Sequence, residues 1–221
     1  MSPPSPVTRS CSYRGKQKLV AELLRDRTGS LLDIGARDQV LRSGLDNTKW
    51  TYMSADLDGA HDYRIDLEEA LPMADKAFDC VVAMDVLEHV DGFHAAFREV
   101  LRVSRRWVII GLPNMCSFSH RLSMLFAGRP ATAKYDLTVA PMRDRHRWYL
   151  KLDDVDRFME HAGIAEGYAL RQVIYEAEGE KAARVAGFAA MSVSMRFRFL
   201  FAKRGIYLLE RTPRDQSPHN Q

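Results

Sequence analysis

Asp33, Asp56 and Asp66 each close a segment that reads as a β-strand: SLLDIG, WTYMSADLD and the short stretch from Tyr63 to Asp66. Acids at the carboxyl ends of successive strands stand where open α/β sheets bind their ligands. Gly35, directly after the first of these strands, lets backbone approach such a ligand closely. Asp56 follows at the spacing of a carboxylate that accepts from ribose hydroxyls, and Asp66 could accept from an adenine amino group. The ordering of the three is more specific than any one of them. A second set of residues could move protons: Asp85 and His89 after the strand FDCVVAMDVL, His120 after the strand RWVIIGLPN, and His146 in the basic loop RDRHRWYLK. Glu88-His89 would bind a metal only with a third ligand, which spacing does not identify. The pair is expected to cap or orient the next helix, and no metal is expected. His146, among Arg143, Arg145 and Arg147, belongs either to a solvated loop or to one that closes over substrate.

These residues need a scaffold of alternating strands and helices, which predicts a mainly parallel sheet covered on both faces. A helix from Lys16 to Arg27 carries Leu19, Val20, Leu23 and Leu24 on one side. A short helix near Val40 and Leu41 ends by Gly44. FDCVVAMDVL is a continuous apolar run, as in the middle of a parallel sheet. The helix with Phe93, Phe97, Val100 and Leu101 is expected to start from Asp91 as N-cap. A late helix with Val155, Phe158, Met159 and Ala162 on one face is expected to be capped by Asp153 and closed by Gly163. Two more strands are expected over 165–174 and 205–211. The boundaries are a disordered tail over 1–12, one domain over 13–211 and a second tail over 212–221. Within the domain, 29–114 is the core and 115–204 supplies acceptor-side elements.

Composition limits the classes. With 46% hydrophobic residues, the 221-residue chain can bury a substantial core. A net charge of +3 is too small to argue for nucleic acid by itself. Three cysteines without CxxC spacing suit a reducing compartment, with Cys80 a small core residue. No run is long and apolar enough for a membrane span. A nicotinamide site would want GxGxxG, which Gly35-Ala36-Arg37-Asp38-Gln39-Val40 does not provide.

SLLDIG, the Ala55-Asp56 pair, DLEEALPMADKAFDCVVAMDVLEHV and AFREVLRVSRRWVIIGLPN resemble the methyltransferase type 11 group of class I S-adenosylmethionine-dependent methyltransferases. The similarity is strong over residues 29–114 and weak over HRWYLKLDDVDRFMEHAGI. It implies a Rossmann-like α/β fold with a mainly parallel sheet, helices on both faces and a C-terminal antiparallel hairpin. It also implies S-adenosyl-L-methionine as cofactor. The counterpart of Gly35 in that family makes room for the cofactor, that of Asp56 holds the ribose and that of Asp66 meets the adenine. Leu67 and Met84 would line the adenine and methionine sides. With Asp33, Ala36, Arg37 and Leu57, these form the expected cofactor-binding set, and Asp85, His89 and His146 the catalytic one. The family's first loop usually reads GxGxG, whereas here the second and third glycines are replaced by Arg37 and Gln39. The cofactor has no phosphate that demands a full glycine cradle, and the Arg37 side chain is expected to meet its carboxylate.

The expected function is methyl transfer to a small-molecule, glycan or lipid-linked acceptor, with oxygen as the nucleophile. The alternative is a catalytically silent binding or scaffold protein that keeps the fold. A nucleic-acid acceptor ranks lower, because no NPPY-like or PC motif appears. The segment 181–209 contains no acid and six Lys/Arg residues, with Phe188, Met191, Met195 and Phe199 spaced for one helix face. It is expected to pack as a lid, the alternative being an in-plane helix on an anionic membrane. The expected location is cytoplasmic, with peripheral contact at the inner membrane surface under that alternative.

Overall fold

The computed structural model describes residues 7–12, 14–140, 142, 144–177 and 197–212. Most of the 181–209 segment, Phe188, Met191 and Met195 included, therefore lies outside the described residues, as does Arg143.

Eight strands form one sheet: β1 (Thr8–Ser12), β2 (Gly29–Ile34), β3 (Trp50–Asp56), β4 (Tyr63–Arg64), β5 (Phe78–Met84), β6 (Ser104–Pro113), β7 (Tyr168–Ala177) and β8 (Ala202–Arg211). Their order is β1-β7-β8-β6-β5-β2-β3-β4. β8 runs antiparallel to both β6 and β7, and the other pairings are parallel. The fold is thus Rossmann-like with a C-terminal antiparallel hairpin. Helices α1 (Lys16–Leu24), α2 (Val40–Gly44), α3 (Phe93–Val103), α4 (Phe118–Ala127) and α5 (Leu152–Ala165) complete the described framework, with a single helical turn at Arg198–Phe201.

Alternation along the central strands builds two cores. Val81 and Ala83 of β5 join Val108 and Ile110 of β6 on one face, packed with Phe93, Phe97, Val100 and Leu101 of α3 and Val155 and Met159 of α5. Cys80 and Val82 join Trp107 and Ile109 on the other face, against Leu19, Val20, Leu23 and Leu24 of α1. Both sides of β5 are dry, which is why its sequence is continuously apolar.

Several boundaries differ from expectation. Residues 8–12 were expected in a disordered tail, yet they pair in parallel with β7, Cys11 lying opposite Tyr175 and buried. That strand covers the β7 edge, which would otherwise expose unpaired backbone groups. Asp91 does not cap α3. Its N–H and that of Gly92 instead donate to the Glu68 carboxylate, at 2.6 and 3.1 Å, so the acid at the helix start comes from another loop. Asp153 lies in the first turn of α5, and Lys151 holds the cap position without a side-chain bond. Gly163 is inside α5, where a Cβ would lie 2.8 Å from Leu209; the left-handed Gly167 follows the helix end.

Candidate active site

The chain runs from β2 outward to β3, then returns to β5 on the other side of β2. This reversal opens a crevice at the carboxyl ends of the strands, where doubly wound sheets take ligands. A cleft of about 930 Å³ occupies it, and Asp33, Gly35, Asp56, Asp66, Leu67 and Met84 all line it. Ala36, Arg37, Leu57, Asp85 and His89 line it too. The fold therefore brings together every residue of the expected cofactor set. Of the expected catalytic set it brings Asp85 and His89 to the wall, with His146 behind His89.

The loop after β2 is held by β3. Arg37 N–H donates to Asp56 Oδ2 at 2.9 Å, and Leu57 N–H donates to Asp56 Oδ1 at 2.7 Å. Each oxygen keeps a second lone pair for a ligand. Arg37 and Gln39 have φ of 41° and 52°. They adopt the left-handed conformation that the two missing glycines would take without steric cost. The Arg37 guanidinium reaches Asp144 Oδ1 at 2.8 Å, linking the loop after β2 to the loop before α5. Gly35 has φ of 73°, and a Cβ there would lie 2.9 Å from Val86 Cγ2. Its need for glycine thus comes from backbone conformation and from Val86.

Asp33 is buried and accepts from the Tyr52 hydroxyl at 2.8 Å. Burial pushes its carboxyl up to about 6, against the pull of the Tyr52 bond and Lys16. Asp66 is exposed, with Oδ1 accepting from Glu68 N–H at 2.9 Å. Met84 fits across the β5–β6 pair because Gly111 faces it; a Cβ at 111 would meet its Cε at 2.2 Å.

The proton-moving candidates differ in kind. Asp85, with φ of 55°, pairs with Lys16 Nζ at 2.7 Å and with the Arg204 guanidinium. Burial opposes its ionisation, but Arg204 and Lys16 outweigh it and hold the carboxyl below its ordinary range. His120, in the first turn of α4, accepts at Nδ1 from Ala131 N–H at 3.1 Å. His146 is buried, not solvated among its arginines, because Tyr135 and His89 pack edge-on against it at 5.3 and 4.8 Å between ring centroids. Burial lowers its pKa to about 4, and the neighbouring His89 adds to that. His89 is also lowered, chiefly by burial. Glu88, which spacing alone read as a cap or helix-orienting residue, is fully buried and pushed up to about 8 by burial and then by Asp85. Lys16 and Tyr52 went unnoticed in the sequence because both reach the site from elements whose patterns report only packing.

The family model described as a methyltransferase domain matches residues 9–165. No curated protein matches the chain in sequence. Solved structures match it at low identity. The carbon methyltransferase of CurJ is 14% identical with a TM-score of 0.53 over 89% of this chain; the chain spans 54% of that structure's length. Magnesium protoporphyrin IX methyltransferase from Synechocystis PCC 6803, solved with bound SAH, is 13% identical with a TM-score of 0.54 over 89% of this chain and 82% of that one. The small RNA methyltransferase HEN1 is 13% identical with a TM-score of 0.62, covering 94% of this chain and 27% of that one. At these identities the likeness is one of fold.

Proposed function

The chain belongs to the methyltransferase-domain family, whose cofactor is S-adenosyl-L-methionine, and we propose that it methylates an oxygen of a small-molecule, glycan or lipid-linked acceptor. The observation that supports the methyl-donor part of this reading is a cleft lined by Asp33, Asp56 and Asp66 together with apolar Leu67 and Met84. The donor set suits the cofactor's chemistry. Asp56 has lone pairs for ribose hydroxyls, Asp66 has one for an adenine amino group, and Leu67 and Met84 supply apolar walls. The anionic lining suits a ligand that carries positive charge at sulfur and nitrogen.

The cofactor supplies an already activated methyl group, so the protein's task is alignment and handling of the acceptor proton. His89 lines the cleft, its Nδ1 held on the Arg145 carbonyl at 2.8 Å. Asp85 is committed to Lys16 and Arg204, which makes it a weak base and a positioning group for β8.

The lipid-linked class of acceptor is drawn from α4 and the loop that follows it. No α4 side chain is buried; Leu125 and Phe126 are 76% and 79% exposed, and Leu137 is 94% exposed. Among the described residues no helix is long and apolar enough to cross a membrane. Contact with a lipid surface would therefore be peripheral, through α4 flanked by Arg121 and Arg129. A second reading, a silent binding protein, is favoured by Arg37 and Gln39 at the missing glycines. Incubation with methyl-labelled S-adenosylmethionine and hydroxylated aromatic, glycan and polyprenyl-phosphate acceptors separates the readings. Label is expected on acceptor oxygen. Label on carbon or nitrogen contradicts the oxygen assignment. No transfer to any acceptor, by protein that binds S-adenosylhomocysteine, supports the silent reading.

A further inference from the structure

Glu88 and His89 leave β5 together on a 3-10 turn, and the loop before α5 brings His146 back against them. One ligand atom from each of the three lies within 4.8 Å of the others. His89 Nε2 and His146 Nε2 are each 3.9 Å from Glu88 Oε1, too far for hydrogen bonds. Glu88 Oε2 and His89 Nε2 are buried and have no hydrogen-bond partner. Unsatisfied groups of this kind are costly, and a buried carboxylate more so.

The tautomers follow from the partners. His89 Nδ1 lies 2.8 Å from the Arg145 carbonyl, which can only accept, so Nδ1 carries the proton. Its Nε2 then presents a lone pair. His146 Nδ1 lies 3.3 Å from the Tyr135 hydroxyl, whose own proton goes to the Trp148 carbonyl at 2.7 Å. The hydroxyl oxygen can only accept from His146, whose Nε2 also presents a lone pair. Two nitrogen lone pairs and a carboxyl group thus converge.

We propose that Glu88, His89 and His146 bind one divalent first-row transition cation beside the cleft. Donor atoms held about 2.1 Å from one ion sit roughly 3–3.5 Å apart, so the two 3.9 Å separations close by about half an ångström on binding and the widest, within 4.8 Å, by up to about 1.5 Å. Two imidazoles and one carboxylate suit zinc, cobalt, manganese or iron in the divalent state. Both histidines already have the outer partners that orient metal-bound imidazoles, and Asp144 Oδ1, 3.4 Å from His89 Nδ1, adds a carboxylate. Three protein ligands leave coordination positions open, and His89 is also a lining residue of the cleft. The sequence expectation of no metal rested on the lack of a third ligand, which folding supplies. The site stands without reference to the acceptor. Its use, polarising an acceptor hydroxyl so that its proton leaves more readily, rests on the methyl-transfer reading.

Chelator-treated full-length protein is titrated with Co2+ near neutral pH while its visible absorption is followed. One equivalent per chain is expected, with a rise in melting temperature. His146→Ala should weaken binding at least about 10-fold, and Tyr135→Phe, which keeps the ring and leaves the ligands intact, about 10-fold. S-adenosylhomocysteine affinity, measured on the same samples, should stay unchanged. The proposal is overturned if folded wild type binds no stoichiometric Co2+, or if folded His146→Ala binds it as tightly as wild type. Should His146→Ala fail to fold, undiminished binding by Tyr135→Phe overturns it instead. Loss of S-adenosylhomocysteine binding with Co2+ binding retained would contradict the methyl-transfer reading and support the cation site.

Discussion

Arg37 N–H donates to Asp56 Oδ2 at 2.9 Å, so the carboxylate at the end of β3 fixes the loop that follows β2. One side chain thereby shapes the ligand-facing loop and keeps lone pairs turned toward the cleft. The bond also accounts for a loop that works without its second and third glycines, since it holds Arg37 at a φ of 41°. Left-handed backbone costs a non-glycine residue roughly 1–2 kcal/mol.

Replacing Arg37 or Gln39 by glycine should therefore stabilise the fold. The gain is expected to be about 0.5–1 kcal/mol each, because glycine's greater unfolded-state entropy offsets part of the relief. Urea denaturation of Gln39→Gly is the cleaner measurement, since it removes only an exposed bond to the Ala60 carbonyl at 3.2 Å, whereas Arg37→Gly removes the charged contact with Asp144. A loss of stability in Gln39→Gly would show that the αL geometry carries no strain.

Asp33 should leave a signature in the pH dependence of stability. Unfolded, its carboxyl titrates near 3.8; folded, burial holds the proton to about 6. The stability this group contributes is complete below about pH 3.8 and falls as pH rises through 6, by an amount on the order of 2–3 kcal/mol at most. Asp33→Asn cannot ionise, so its melting temperature should fall less than that of wild type between pH 4 and about 7. Parallel profiles for the two proteins would contradict the assignment.

Asp85→Asn should act on stability before chemistry. It leaves the partly buried Lys16 without its partner while Arg204 keeps Glu176, at a cost of about 1–3 kcal/mol after allowance for partial exposure. Chemical denaturation measures this. A variant as stable as wild type that has lost transfer activity would restore Asp85 as a base.

The exposed side of α4 yields a vesicle test. Leu125→Glu and Phe126→Glu should fold normally, because both side chains face solvent. They should weaken co-sedimentation with anionic vesicles by several-fold and leave S-adenosylhomocysteine binding intact. Equal sedimentation of variant and wild type would remove α4 from any lipid contact.

What the sequence made legible was what short-range spacing encodes. Asp33, Asp56 and Asp66 fall at strand ends, and the apolar periods of α1, α3 and β5 name their buried faces. Contacts made across long separations were hidden. Thr8–Ser12 reads as polar tail because its partner, β7, lies some 160 residues away. Nothing near His146 signals burial, since Tyr135 and Glu88 reach it through the fold. Arg37 was expected to face a cofactor carboxylate, and the partner it has here, Asp144, is 107 positions on. Glu68, which holds the amides at the start of α3, sits 23 positions before Asp91.

The cleft at the ends of β2 and β3 is proposed to bind the methyl donor, with Asp56 holding its ribose. Calorimetric titration with S-adenosylhomocysteine tests this most directly, on wild type and on an Asp56→Ala variant shown by its melting curve to be folded. Wild type should bind one equivalent. Asp56→Ala should bind more weakly by roughly 1–3 kcal/mol, about 5- to 150-fold, the loss of hydrogen bonds to a charged acceptor. No binding by wild type would remove the methyl donor from this cleft, and unchanged affinity in the folded variant would remove Asp56 from the ribose.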